Sequence, residues 1–511
     1  MKINVFSIVK AGIFAIALAG FAQEPQKQNE TTKMTQVKNV NLDDATIKEI
    51  AEYIDDEGAT LATRAVAAYS EKLWRIHYNK DESEAGEYTL PPIVSKTKEE
   101  WEKEERPRTL QLFRDIMYGQ MPGKPDSLTF ELLSEKNDAL DGLAIRKEIR
   151  INSDMKDGRH HHLDMMLYVP KNAKSPSPVF VGLSFGGNHA ITSEDDVRIV
   201  HGVYHGSSKG KGYLGRVSGK RRSYALEAYN IVEAIKRGYA IATASYLQAC
   251  PDHLNGMRMS PFALVCPPED IRTEYMVPFS EAKAGKWLRP YSIIGAWAWC
   301  YSIMLDALEK EPLVDATKAI TVGHSRLGKT ALWAAANDQR FAGAISNNSG
   351  SAGASLSRRN FGENLRIDYW EKGTWLCGKI VEYIDNVEEL PFDQHQLLAL
   401  IAPRGIYVAS ATEDLNADPK GEFLSLKAAS PAWKLYGMPT LENAEWPAPD
   451  TPIHNGVMHY HLRTGKHAIT AKDWANYYDF ADRLFGFGRA EARPSDRRGG
   501  LPSEGRASAR P

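Results

Sequence analysis

The stretch Ala319-Ile320-Thr321-Val322-Gly323-His324-Ser325-Arg326-Leu327-Gly328-Lys329-Thr330, continuing into Ala331-Leu332-Trp333-Ala334-Ala335-Ala336, constrains the fold more than any other part of the chain. An apolar, β-prone run meets a glycine and a serine, then passes straight into helix-favouring residues. That order predicts a strand, a tight turn and a helix. The turn is crowded, so the position two before the serine needs a small residue, and Gly323 stands there. Leu327 occupies the place of the second glycine in a G-x-S-x-G pattern and Gly328 follows it, so the generic pattern is missed by one residue.

The surroundings repeat the alternation. Pro178 to Leu183 reads as a buried strand leaving into Phe185-Gly186-Gly187-Asn188-His189. Leu226 to Arg237 reads as a helix, Tyr239 to Ala244 as a buried strand and residues 291–310 as a tryptophan-rich helix; Gly343 to Ser346 and Gly405 to Ala409 read as later strands. Strands alternating with helices imply a mostly parallel sheet covered on both faces, an α/β three-layer sandwich. Thr129 to Leu133, Ala144 to Ile151 and Leu163 to Val169, separated by turns rich in Asp, Gly and Asn, predict antiparallel strands at the N-terminal edge. His160-His161-His162 sits between them; neighbouring strand side chains alternate faces, so three adjacent histidines do not form a compact metal site.

In such a sheet a serine on a strand-to-helix turn is a candidate nucleophile, as in α/β-hydrolases, where chain order runs serine, acid, histidine. A hydroxyl is a weak nucleophile and needs a base within reach and an acid to orient that base. The base therefore belongs late in the chain. Of His454, His459, His461 and His467, the last lies between a strand-like run and a helix starting near Asp473, the place expected at the sheet's carboxyl edge. The loop after the 178–183 strand is a candidate for part of an oxyanion hole.

Gly323-His324-Ser325-Arg326-Leu327-Gly328-Lys329 resembles the G-x-S-R-x-G-K signature of the glucuronoyl esterases, a carbohydrate esterase family. The segments Tyr460-His461-Leu462-Arg463-Thr464-Gly465-Lys466-His467 with Asp473-Trp474, and Phe361-Gly362-Glu363-Asn364, are similar to segments of the same family, and the likeness spans residues 88–486. One form of the family carries its acid after the strand that follows the nucleophile. Here Asn348 holds that position and cannot carry the charge. A second form places the acid after a later strand, which points to Asp414, with Glu413 and Asp418 as alternatives.

The resemblance implies a serine carboxylester hydrolase with Ser325, His467, Asp414 and Arg326 as catalytic residues and Lys329 and Glu363 holding sugar hydroxyls. Asn416 stands where relatives often have a tryptophan against the sugar acid, and an amide offers no stacking face. His324 stands where fungal members have a disulfide-forming cysteine. The implied substrate is an ester between (4-O-methyl-)glucuronic acid of xylan and a lignin alcohol, with no cofactor or metal. The alternatives are an acetylxylan or other carbohydrate esterase, and a glycan-binding relative without catalysis.

The ends differ from the middle. Lys2 and Lys10 frame a charged start, a short apolar run reaches Ala22 and small residues close it, the pattern of a signal peptide with cleavage after residue 22. The run is too short for a bilayer span, which needs about 20 residues. These features predict a secreted or periplasmic protein without membrane insertion; a monomer is expected. Residues 23–87 read as a polar linker with a helical extension, and 487–511, rich in Gly, Pro, Ser and Arg, as a disordered basic tail. A net charge of −2 over 511 residues argues against a nucleic-acid polyanion as the partner.

Overall fold

The computed structural model describes residues 79–200, 203–208, 211–216, 222–252, 257, 259–266, 290–366, 368 and 375–487. The signal-peptide segment, most of the extension and nearly all of the basic tail lie outside the described residues.

Twelve strands are described: β1 (Ser127–Asp138), β2 (Ala144–Asp154), β3 (His160–Pro170), β4 (Ser177–Ser184), β5 (Val203–Ser208), β6 (Lys211–Arg216), β7 (Ala240–Ser245), β8 (Val314–His324), β9 (Gly343–Asn347), β10 (Gly405–Ala411), β11 (Ile453–Asn455) and β12 (Met458–Arg463). The longer helices are α1 (Arg106–Ile116), α2 (Ile231–Lys236), α3 (Ile293–Leu308), α4 (Arg326–Asn337), α5 (Gln394–Ala399), α6 (Pro419–Ala428) and α7 (Ala471–Phe485). Ten strands form one sheet in the order β1-β2-β3-β7-β4-β8-β9-β10-β12-β11. β1, β2, β3 and β7 pair antiparallel, β7 through β12 pair parallel, and β11 returns antiparallel. This is the α/β-hydrolase architecture, with the antiparallel N-terminal edge that the sequence predicts.

The reason is visible in the strand faces. β4, β7, β9 and β10 are buried at every position, as a sheet covered on both sides requires. Val179, Val181 and Leu183 join one core with α3 and α4, while Phe180 joins the other with Tyr229, Tyr239 and Trp474. Ile406 and Val408 likewise face the first core, and Tyr407 and Ala409 the second. The period-two alternation thus divides the apolar residues between two layers of helices. α3, with all of its tryptophans buried, begins at Ser292, whose hydroxyl accepts from Gly295 N–H at 3.0 Å.

The helix expected over 226–237 is shorter. A single tight turn, Leu226–Ala228, precedes α2, and Asn230 between them has left-handed φ of 42°. Residues 79–85 pack along Arg359–Gly362: Gly362 N–H donates to Asn79 O at 2.8 Å, Lys420 reaches Glu82 at 2.6 Å and Arg359 pairs with Glu82. Within the histidine run, His161 is buried edge-on to Trp299 and His160 Nδ1 lies 2.5 Å from Asp154.

Candidate active site

The parallel strands end along one edge, and the loops that leave β8, β9, β10 and β12 meet there. Ser325, between β8 and α4, has φ 58° and ψ −130°, a combination that L-residues avoid and that marks a strained turn. The turn closes through Ser325 N–H to Asn347 O at 2.9 Å. A Cβ on Gly323 would sit 1.9 Å from Leu327 O, so main chain occupies the space of any side chain. A Cβ on Gly328 would sit 3.0 Å from Ser349 Cβ and 3.2 Å from Gly323 O. Gly328 is therefore a position where α4 passes close against the loop after β9, and buried Leu327 anchors the first turn. This accounts for the displaced glycine of the motif. Gly323→Ala is expected to cost about 4 kcal/mol or more, as backbone clashes that cannot relax do. Soluble yield and Tm check this, and a Tm within a few degrees of wild type would contradict it.

β10 ends at Ala411, and Asp414 follows with its carboxylate 7% exposed. His467, in the loop after β12, donates from Nδ1 to Asp414 Oδ2 at 2.5 Å. The same oxygen accepts from Asn348 Nδ2 at 2.8 Å. Burial raises the Asp414 pKa, but the hydrogen bonds from His467 and Asn348 and the nearby imidazoles outweigh it and hold the carboxyl below its usual range. Of the alternative acids, Glu413 is exposed, with its backbone N–H on Gly465 O. Asp418 pairs with Arg359 and caps α6. Only Asp414 of the three meets His467.

His324, beside Ser325 in the chain, has its ring 4.4 Å from that of His467, which places His467 at the serine turn. His324 Nδ1 lies 2.6 Å from Asn347 Oδ1, and burial together with the facing His467 lowers the His324 pKa to about 4. Among the described residues no hydrogen bond joins the Ser325 hydroxyl to His467. The acid–base end is closed and the nucleophile end is open, and such contacts commonly tighten only around substrate.

Arg326 follows the serine. Its guanidinium pairs with Asp252 and lies 4.5 Å from the Trp375 ring and 5.7 Å from Phe185. Asp252 also accepts from Trp375 Nε1 at 2.8 Å. Arg326 Nε is buried without a partner, a donor left over at the turn. Phe185 brings the loop after β4 to the site, whereas Asn188 in that loop is tied down by Asp164 O and Thr243.

Lys329 lies one turn along α4, but the residue is buried and its ammonium donates to Ser349 O at 2.8 Å and to Ser351 O, with Asp368 at 3.9 Å. It sits beneath the site rather than on an open face. Glu363 is half-buried, and its backbone N–H donates to Asn416 O at 2.8 Å. A Cβ on Gly362, where φ is +66°, would be 2.5 Å from the same carbonyl. Glu363 and Asn416 therefore flank one seam beside the acid loop, and the charge of Glu363 reaches Arg326.

Glu422 carried no signal in the sequence. It is fully buried in α6, accepts from the backbone N–H groups of Ser349 (2.8 Å) and Gly350 (2.9 Å), and lies 2.5 Å from Ser410 Oγ. Burial raises its pKa from 4.5 to about 8, opposed by these hydrogen bonds and reinforced by the charge of Asp414. A carboxyl raised on folding stabilises the protein below its unfolded value and loses that contribution as pH climbs from 4.5 through about 8. Gln can accept the same N–H bonds without titrating. Glu422→Gln is therefore expected to remove a loss on the order of a few kcal/mol between pH 5 and 8. Denaturant unfolding at both pH values checks this; an unchanged slope would contradict it.

A parallel sheet with a serine on its sharpest strand-to-helix turn and an Asp–His pair at the same edge is of the α/β-hydrolase class of enzymes. Residues 288–437 match the family model "Glucuronyl esterase, fungi". The chain is 36% identical over 415 residues to the carbohydrate esterase MZ0003 of an unknown prokaryotic organism, covering 79% of this chain and 91% of that protein. It is 36% identical over 155 residues to the 4-O-methyl-glucuronoyl methylesterase of Hypocrea jecorina, 28% of this chain and 33% of that one. Among solved structures, the glucuronoyl esterase from Solibacter usitatus superimposes with a TM-score of 0.70 at 35% identity, over 80% of this chain and all 100% of that chain. A promiscuous family 15 esterase from a marine bacterial metagenome gives 0.68 at 34% identity, over 80% and 100%. The chain belongs to the glucuronoyl esterases, carbohydrate esterase family 15.

Proposed function

We propose that this protein is a serine carboxylester hydrolase that cleaves the ester between the carboxyl of (4-O-methyl-)glucuronic acid on xylan and a lignin alcohol. The Asp414–His467 hydrogen bond of 2.5 Å at the serine turn carries the reading. Family membership, and relatives named as glucuronoyl esterases and 4-O-methyl-glucuronoyl methylesterases, support it.

Ser325 attacks the C6 carbonyl of the uronate while His467 takes its proton, and ionised Asp414 stabilises the imidazolium that forms. The oxyanion is held by the backbone N–H following the nucleophile and by the guanidinium of Arg326, which Asp252 and Trp375 orient. His467 then protonates the departing alcohol. Water, activated by the same imidazole, releases the uronic acid from Ser325. Glu363 and Asn416 line the sugar side; Lys329 supports that wall from below through the Ser349 and Ser351 carbonyls. The protein acts as an exported monomer.

Hydrolysis of benzyl glucuronate tests the reading. Turnover by the wild type is expected. Activity on acetylated xylan with none on benzyl glucuronate would transfer the site to the acetyl-esterase reading. Glycan binding without either activity would make it a binding protein.

A further inference from the structure

Arg463 closes β12, four residues before His467, and its side chain is 7% exposed. Its guanidinium is engaged on every side. Nη2 donates to Lys466 O at 2.8 Å and Ala468 O at 3.0 Å, the carbonyls on either side of His467, and Nη1 donates to Thr464 O at 3.1 Å. Nε lies 3.1 Å and 3.0 Å from the two oxygens of Asp473. Asp473 is fully buried and also accepts from Thr470 N–H (2.7 Å), Thr470 Oγ1 (2.8 Å) and His461 Nε2 (2.8 Å), forming the capping box of α7. One cation thus ties three carbonyls of the 464–470 loop to the first turn of the helix that follows.

Gly465 supplies an independent observation. Its φ is +126°, and a Cβ there would lie 2.8 Å from Arg463 Nη1. Its N–H donates to Thr412 Oγ1 at 3.0 Å and its carbonyl accepts from Glu413 N–H at 2.9 Å. The loop that the guanidinium shapes is therefore laid directly against the residues leading into Asp414. A buried ion pair alone is weak evidence for a stabilising role. A fork that holds the carbonyls before and after one imidazole has a narrower consequence, because it fixes the ring's backbone on both sides.

We infer that Arg463 is the positioning residue of this active site: its planar fork sets the loop so that His467 presents Nδ1 to Asp414 and leaves Nε2 for the nucleophile. The inference rests on the reading of His467 as the general base. A lysine at 463 keeps the charge beside Asp473, but as a single point donor it cannot span the carbonyls flanking His467.

Arg463→Lys and Gly465→Ala, with His467→Ala as control, are compared by kcat and KM on benzyl glucuronate, by Tm, and by the far-downfield proton resonance of the His467 Nδ1–H held by Asp414. Both positioning variants are expected to lose about 100-fold in kcat, the cost of an ångström-scale misplacement, with KM within about twofold. The resonance should move or vanish. If Arg463→Lys does not fold, Gly465→Ala alone is expected to show the same kcat and resonance signature. Retention of kcat within threefold, or a loss that only follows the folded fraction while the resonance stays intact, overturns the inference. Activity surviving in His467→Ala would instead overturn the reading of the base beneath it.

Discussion

Ser325→Ala is expected to lower kcat on benzyl glucuronate by about a million-fold, the scale of loss when a serine hydrolase is deprived of its nucleophile. The turn explains why no neighbour substitutes. At φ 58° and ψ −130° Ser325 stands at the apex of the turn, and Gly323 and Gly328 carry no side chain that could take its place. His324 precedes it but is engaged with Asn347 at 2.6 Å. KM should stay within a few-fold, because Arg326, Glu363 and Asn416 are untouched. The residual rate would come from oxyanion stabilisation and binding alone. A loss below about 100-fold would mean that the hydroxyl is not the attacking group.

Asp414→Asn is expected to cost about ten-thousand-fold in kcat, with little change in fold. The amide is nearly isosteric and can still bond to His467 Nδ1, but it supplies no charge to the imidazolium and allows the wrong tautomer. The environment sharpens the effect. Asn348 Nδ2 already donates to Asp414 Oδ2 at 2.8 Å, so an asparagine at 414 sets one amide against another. Glu413, the preceding residue, is exposed, and its backbone N–H is held on Gly465 O at 2.9 Å. Unaltered activity in Asp414→Asn, with loss in Glu413→Gln, would reassign the acid.

The strand–turn–helix around Ser325 was legible because all of its determinants are local: apolar periodicity, two glycines and a helix-forming run. The layered sheet was legible from the alternation of segments, and His467 from chain order. Asp414 was legible only as one of three nearby acids, because a turn such as Thr412–Asp418 does not reveal which carboxyl faces inward. Asn348 cannot carry charge, and the structure makes it a donor to the acid. Lys329 shares a helix face with Ser325, but helical spacing cannot show that Ser349 and Ser351 cover that face. Asp252 and Trp375 reach Arg326 from segments more than a hundred residues apart, with no spacing to betray them. Arg463 lies in a segment that resembles the family, but its fork around His467 is a property of three dimensions.

The most direct measurement is a crystal structure of Ser325→Ala with benzyl glucuronate bound. The ester carbonyl carbon is expected within about 3.5 Å of where the serine oxygen would stand. The carbonyl oxygen should point toward Arg326, the benzyl oxygen toward His467, and the sugar ring should lie between Glu363 and Asn416. A uronate bound with its ester group turned away from residue 325 and Arg326 would contradict the serine-esterase mechanism.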